Sequence, residues 1–214
     1  MEYKLKIPTT LNEITLGQYQ EFEKLNFDNE SDVQLRMIEI FCNVDAIVAR
    51  GMKATDVTEV CNSINNMFNT KHPLINKFSL NGQQYGFIPS LEDMSFGEYV
   101  DLDTFIGDNE NIHRAMNVLY RPIKLKTGER YVIKDYDPAT FEDAKQYPLD
   151  AVFGAVVFFY DLGTELSKVI LNSSNKQNEE SLVHYLTSLP NGAGTIQSMD
   201  SLRGMLQGLN ISLN

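Results

Sequence analysis

Residues 11–22, Leu-Asn-Glu-Ile-Thr-Leu-Gly-Gln-Tyr-Gln-Glu-Phe, and residues 91–102, Leu-Glu-Asp-Met-Ser-Phe-Gly-Glu-Tyr-Val-Asp-Leu, begin a helix in the same way eighty positions apart. Thr15 and Ser95 are hydroxyl N-caps, able to accept a hydrogen bond from an orphan first-turn N–H. Gln18 and Glu98 stand three residues on, where a side chain reaches back to the cap's own N–H and closes a capping box. Ile14 and Met94 precede the caps, and Tyr19 and Tyr99 stand inside the helices, so each pair has the spacing of a hydrophobic staple. Gly17 and Gly97 share a position, which reads as a close backbone approach or as a tolerated first-turn glycine. A repeat of this length constrains the architecture: a chain of 214 residues built from two related halves.

The order of elements around these starts is regular. Residues 2–8 alternate, with Tyr3, Leu5 and Ile7 on one face, which predicts a short strand before a helix at about 16–26. After a polar break at 27–31, a second helix is predicted from about Asp32 to Ala49, and Thr55 caps a third through about Asn69. The second half opens with Phe78 and Leu80, Asn81-Gly82, then Tyr85, Phe87 and Ile88, the pattern of a hairpin closed by a type I′ turn. Helices follow at about 96–106 and 110–120, so both halves read strand, capped helix, break, second helix. Ile123–Lys126 and Arg130–Ile133 predict a second hairpin around Thr127-Gly128, and Phe141–Gln146 a short helix or turn. Pro148 starts a helix of about 20 residues that is apolar nearly all round, and such a helix belongs at the centre of a fold.

Beyond Leu171 the composition changes. Asn172–Glu180 contains no hydrophobe and reads as a linker. Ser181–Leu189 is amphipathic, Pro190–Gly194 is a turn, and Thr195 opens a last helical pattern with Ile196, Met199, Leu202, Met205, Leu206 and Leu209 on one face. A helix that short is marginal alone in water, so its apolar face is expected to dock on this chain or on a neighbour; in the second case the stripe is a candidate subunit-interface arm. The expected class is α+β, mostly α. Residues 1–75 form one half-repeat, and 76–171 form the second with the hairpins and central helix, in one domain with the first. Residues 172–214 form the linker and arm.

The formal charge is −11, and none of the stretches 1–75, 76–171 and 172–214 is net basic. A surface that tracks phosphates is therefore not expected. Cys42 and Cys61, the only cysteines, lie among apolar residues and read as buried thiols in a reducing compartment. No basic segment followed by an apolar one marks a signal peptide, and the longest apolar run, Leu149–Leu162, is interrupted and too short for a bilayer. His72, His113 and His184 have no second ligand at a metal spacing, so no metal or cofactor is expected. Acid pairs such as Glu92/Asp93, Asp101/Asp103 and Glu142/Asp143 are catalytic candidates for a small acidic-site hydrolase or nuclease, Asp101/Asp103 the best of them. The simpler reading is helix N-terminal decoration and solvated surface. No phosphate loop or nucleophile elbow is present.

The run Phe87–Asp103, then His113–Met116 with Leu119–Ile123, then Pro148-Leu149-Asp150 before the apolar helix, resembles small tailed-bacteriophage proteins encoded among tail and neck genes, notably in crAss-like and related phages of Bacteroidetes. The likeness covers roughly 1–171 and, more faintly, 191–206. It implies virion morphogenesis, with no catalytic residues to carry over. The expectation is a non-enzymatic ring subunit of the virion tail or neck, made in the host cytoplasm, partnered by copies of itself and by other tail or neck proteins. A tail assembly chaperone is the alternative. No specific nucleic acid, membrane or small-molecule substrate is expected.

Overall fold

A computed structural model of the protein describes residues 5–174. The fold is α+β and mostly helical. Four helices come first: α1 (Leu16–Glu23), α2 (Glu30–Phe41), α3 (Ala46–Arg50) and α4 (Ala54–Phe68). Then come β1 (Lys77–Leu80) and β2 (Gln83–Phe87), α5 (Phe96–Phe105) and α6 (Ile112–Leu119), β3 (Tyr120–Thr127) and β4 (Arg130–Ile133). A 3-10 segment at Pro138–Gln146 leads to the long α7 (Leu149–Ser174). The strands form one antiparallel sheet in the order β1-β2-β3-β4.

Both hairpins form as their turn residues require. Asn81 and Gly82 have φ of 51° and 79°, the pair of left-handed residues that closes a two-residue turn without splaying the strands. Gly128, at φ 61°, closes the second. Gly86 in β2 is forced by packing instead. A Cβ there would run into the Tyr131 ring, which is anchored over the strand by its hydroxyl donating to the carbonyl oxygens of Phe87 at 2.7 Å and Asn76 at 3.2 Å.

The first two turns of α7 are the centre of the core. Leu149, Ala151, Val152, Phe153, Ala155 and Val156 are all buried. Phe153 meets Tyr19 of α1 edge-on at 5.4 Å and Phe68 of α4 at 5.9 Å. From the sheet, Phe87 packs on Phe158 at 5.7 Å, and the hydroxyl of the fully buried Tyr120 donates to Ala151 O at 3.2 Å and Ile75 O at 2.8 Å. Gly154 lets α7 lie on the chain at Pro73, whose carbonyl oxygen occupies the space a Cβ would take. The starts of α1 and α7 are tied to each other: Leu16 N–H donates to Tyr147 O and Leu149 N–H to Ile14 O, both at 2.9 Å, flanking a Thr15–Pro148 bridge. Both halves thus pack on α7.

Several expected boundaries move. Leu5–Pro8 lie in no strand, because every strand of the sheet comes from 77–133 and none offers this segment a ladder; Ile7 is left exposed. Among the described residues the first half is therefore all-helical, and the strand–helix–helix pattern is not repeated in full. The helix expected at 32–49 begins earlier, with Asn29 accepting from Asp32 N–H at 3.1 Å, and then breaks. Asn43 takes a left-handed φ of 51°, and Val44 N–H returns to Glu39 O at 3.0 Å, a Schellman-type end that separates α2 from α3. Thr55 is not a cap: α4 starts at Ala54 behind Lys53, without a side-chain cap bond. The helix expected at 110–120 gives way at Tyr120 directly to β3, and α7 runs to Ser174, through the first residues expected as linker. The amphipathic stretch 181–189 and the arm stripe from Ile196 to Leu209 lie outside the described residues.

Candidate functional site

Both capping boxes close. Thr15 Oγ1 accepts from Gln18 N–H at 3.2 Å and Gln18 Oε1 from Thr15 N–H at 2.9 Å. Ser95 Oγ accepts from Glu98 N–H at 3.3 Å and Glu98 Oε2 from Ser95 N–H at 2.6 Å. Each box side chain then binds with its other end to the close of the following helix or to the strand that succeeds it. Gln18 Nε2 donates to Ile40 O, in the last turn of α2, at 2.7 Å. Arg121 Nη1, two residues past α6, donates to Glu98 Oε1 at 2.7 Å. The staple residues Ile14 and Tyr19 are buried, whereas Met94 and Tyr99 are half-buried. The glycines also differ. A Cβ on Gly17 would sit 3.1 Å from Lys145 O, but one on Gly97 would meet nothing within 4 Å. The close approach holds in the first half only.

Glu98 and Arg121 form the floor of an open depression of about 640 Å³ between the start of α5 and strand β4, lined also by Ile88, Pro89, Tyr131, Val132 and Tyr136. Arg121 is buried and its Nε has no protein partner. Its charge is nevertheless matched by Glu98, and Asp93 and Asp135 outnumber Lys134 at the rim. That balance repels an anion, so the depression is no phosphate or carboxylate cradle.

The acid pairs do not converge. Asp101 and Asp103 are two apart on α5, a spacing that turns side chains away from each other, and Asp101 accepts from the Tyr136 hydroxyl at 2.6 Å. They lie in the helix's second half rather than at its N-terminus; only Glu92/Asp93 adjoins one. Glu142 pairs with Lys145 at 2.6 Å, which holds its carboxyl below the usual range, and Asp143 is exposed. His72 lies against Phe68 O at 3.1 Å. His113 is buried with Nδ1 3.2 Å from Gln20 Nε2, and burial, reinforced by Lys145, pushes its pKa down. At neutral pH its 3.8 Å approach to Glu142 is therefore no ion pair. His184 is outside the described residues, and among the described ones no cluster could hold a metal ion. Cys42 and Cys61 are buried and free; burial and the nearby Cys61 push the Cys42 thiol up to about 11, the range of an unreactive sulfur.

The surface carries the other candidates. Phe96 and Val100 are exposed on α5, at 72% and 41%, four residues apart and so on one face. Leu125 and Val132, at 63% and 55%, are register partners in the β3–β4 hairpin. Sequence reasoning missed these and Arg121, since nothing local says which face of a hairpin or helix will lack a neighbour. Comparison with protein-family models, with curated proteins and with solved structures gives no match. No helix among the described residues is long and apolar enough to cross a membrane.

Proposed function

We propose that the protein is a non-enzymatic structural subunit of a tailed-phage virion, forming part of a tail or neck ring through which DNA passes. The observation that carries the reading beyond the sequence resemblance is the uncovered apolar surface. Phe96 with Val100 and Leu125 with Val132 form exposed apolar pairs on different elements. Ring interfaces are heterologous, one patch of a subunit meeting a different patch of the next, and separate apolar patches suit that arrangement. The acidic balance of −11 suits a channel wall along which DNA slides without adhering. The first-half and second-half capped helices, one tethered to the last turn of the next helix and the other to the strand just after it, fit two versions of one module. Mass spectrometry of purified virions tests the proposal, with electron microscopy of the purified protein for rings. Presence in finished particles and closed oligomers are expected. Absence from particles that need the protein for assembly overturns the ring reading in favour of a tail assembly chaperone.

A further inference from the structure

The two exposed apolar pairs are bordered by opposite charge. Phe96 and Val100 take no part in the core, and Asp103 continues their face of α5 by one turn. Exposed Glu92 and Asp93 lie just before Phe96. Residues 92–110 hold seven acids and no base. Of these acids, Glu98 is neutralised by Arg121.

The β3–β4 hairpin is the reverse. Leu125 and Val132 are register partners, hence on one face, and they too stand outside the core. Residues 120–133 hold four bases, Arg121, Lys124, Lys126 and Arg130, against one acid, Glu129. The hairpin is thus net +3 in a chain of net −11. Arg130 stands two residues before Val132 and so shares its face, and Lys134 follows two residues beyond. The hairpin's surface ion pairs join Lys124 to Asp135 and Glu129 to Lys77; Lys126, Arg130 and Lys134 are exposed outside them. The edge of a sheet is ordinarily guarded by charge, a bulge or a covering element. β4 is such an edge, yet it presents Val132 at 55% exposure opposite Leu125 at 63%.

Resting on the ring reading above, we propose that the acidic Phe96–Val100 face of α5 receives the basic Leu125–Val132 face of the hairpin of a second copy of this chain. Laying one apolar pair on the other removes from water surface that nothing in the subunit covers. The bordering charges select the partner: acidic face against basic hairpin attracts, whereas like against like repels. Within one subunit the two faces are held apart. Asp93 and Ser95 line the α5 side of the open depression, and Val132 and Lys134 line its β4 side. The contact is therefore made between copies. A receiving face and an inserted face on different parts of one chain give the head-to-tail contact that a ring needs.

The test follows the full-length chain by sedimentation velocity. Phe96→Lys and Val132→Glu each put the wrong charge into an exposed apolar pair. Each should weaken self-association roughly tenfold or more, with circular dichroism unchanged. Val100→Lys and Leu125→Glu repeat the comparison if either first variant misfolds. Mixing Phe96→Lys with Val132→Glu should restore a one-to-one complex, because the hairpin of the first and the α5 face of the second are both intact. Raising sodium chloride from about 0.1 M to about 1 M should weaken the wild-type association several-fold. A monomeric wild type, folded variants that assemble as wild type does, a mixture that stays monomeric or an association indifferent to salt overturns the inference. So does binding of a duplex DNA probe that Arg130→Glu abolishes while self-association persists, which assigns the hairpin to nucleic acid. The ring reading fails separately. A complex of only two copies, or a self-associating protein absent from virions, keeps the contact and loses the ring. A protein found in virions that does not associate through these faces keeps the function and loses this interface.

Discussion

The Glu98 carboxylate and the Arg121 guanidinium meet at 2.7 Å with about a tenth of each side chain exposed, and the same carboxylate closes the Ser95 capping box. One side chain thus fixes where α5 starts and ties that start to β3. In the first half, Gln18 does the same without charge, from Thr15 to Ile40.

Removing these side chains should cost unequal amounts. Glu98→Ala leaves a buried cation without its partner and is expected to lower unfolding stability by about 3 kcal/mol. Gln18→Ala loses two neutral bonds and should cost about 1–2 kcal/mol. Urea denaturation of both variants measures the difference, and equal losses would show that the buried pair contributes no more than the amide.

The caps themselves are expected to be worth about 1 kcal/mol each. Thr15→Ala and Ser95→Ala should each lower the thermal midpoint by several degrees; an unchanged midpoint in both would refute the caps.

Glycine replacements separate packing from propensity. Gly154→Ala sets a methyl against the Pro73 carbonyl, which is backbone and yields little, so a loss of about 2 kcal/mol or more is expected. Gly97→Ala meets open space in a helical first turn and should be neutral or stabilising by about 0.5 kcal/mol. Gly17→Ala, 3.1 Å from Lys145 O, should fall between them. Calorimetry of the three gives the ranking directly.

Stability should also depend on His113. Its pKa is depressed in the folded protein, chiefly by burial, so unfolding takes up a proton in mildly acid solution. Its contribution is complete above the ordinary imidazole value of about 6.5 and is lost as pH falls through the lower folded value. Protonation would also set an N–H of Nδ1 against the Gln20 amide nitrogen 3.2 Å away. Denaturation midpoints of wild type and His113→Gln, compared over roughly pH 6.5 to 5, should show a steeper fall in the wild type. Parallel curves would exclude His113 as the cause.

Much of this molecule is local, and that part was legible in the sequence. A capping box needs only residues three apart, and Asn81-Gly82 needs only two residues willing to take a positive φ, so both boxes and both hairpin turns stand where the sequence places them. The core segment of α7 announced itself because an all-round apolar run has no face to give to water. Asn43 carried a signal too, but one that competes with a continuous apolar stripe. Its left-handed cap prevailed because the chain has to turn there to pack α3 on α2.

Tertiary structure decided the rest. Leu5 and Ile7 alternate as a strand would, yet a strand exists only where another offers it a ladder, and none does. Glu98 could have been one more solvated acid until the fold brought Arg121 to it from twenty-three residues away. Gly17 and Gly97 look alike in sequence and differ because Lys145 lies beside only the first. The sequence by itself determined where helices begin and turns close, since those depend on neighbours in the chain. Which faces are sealed and which are left open depended on neighbours in space, and only the folded structure supplies those.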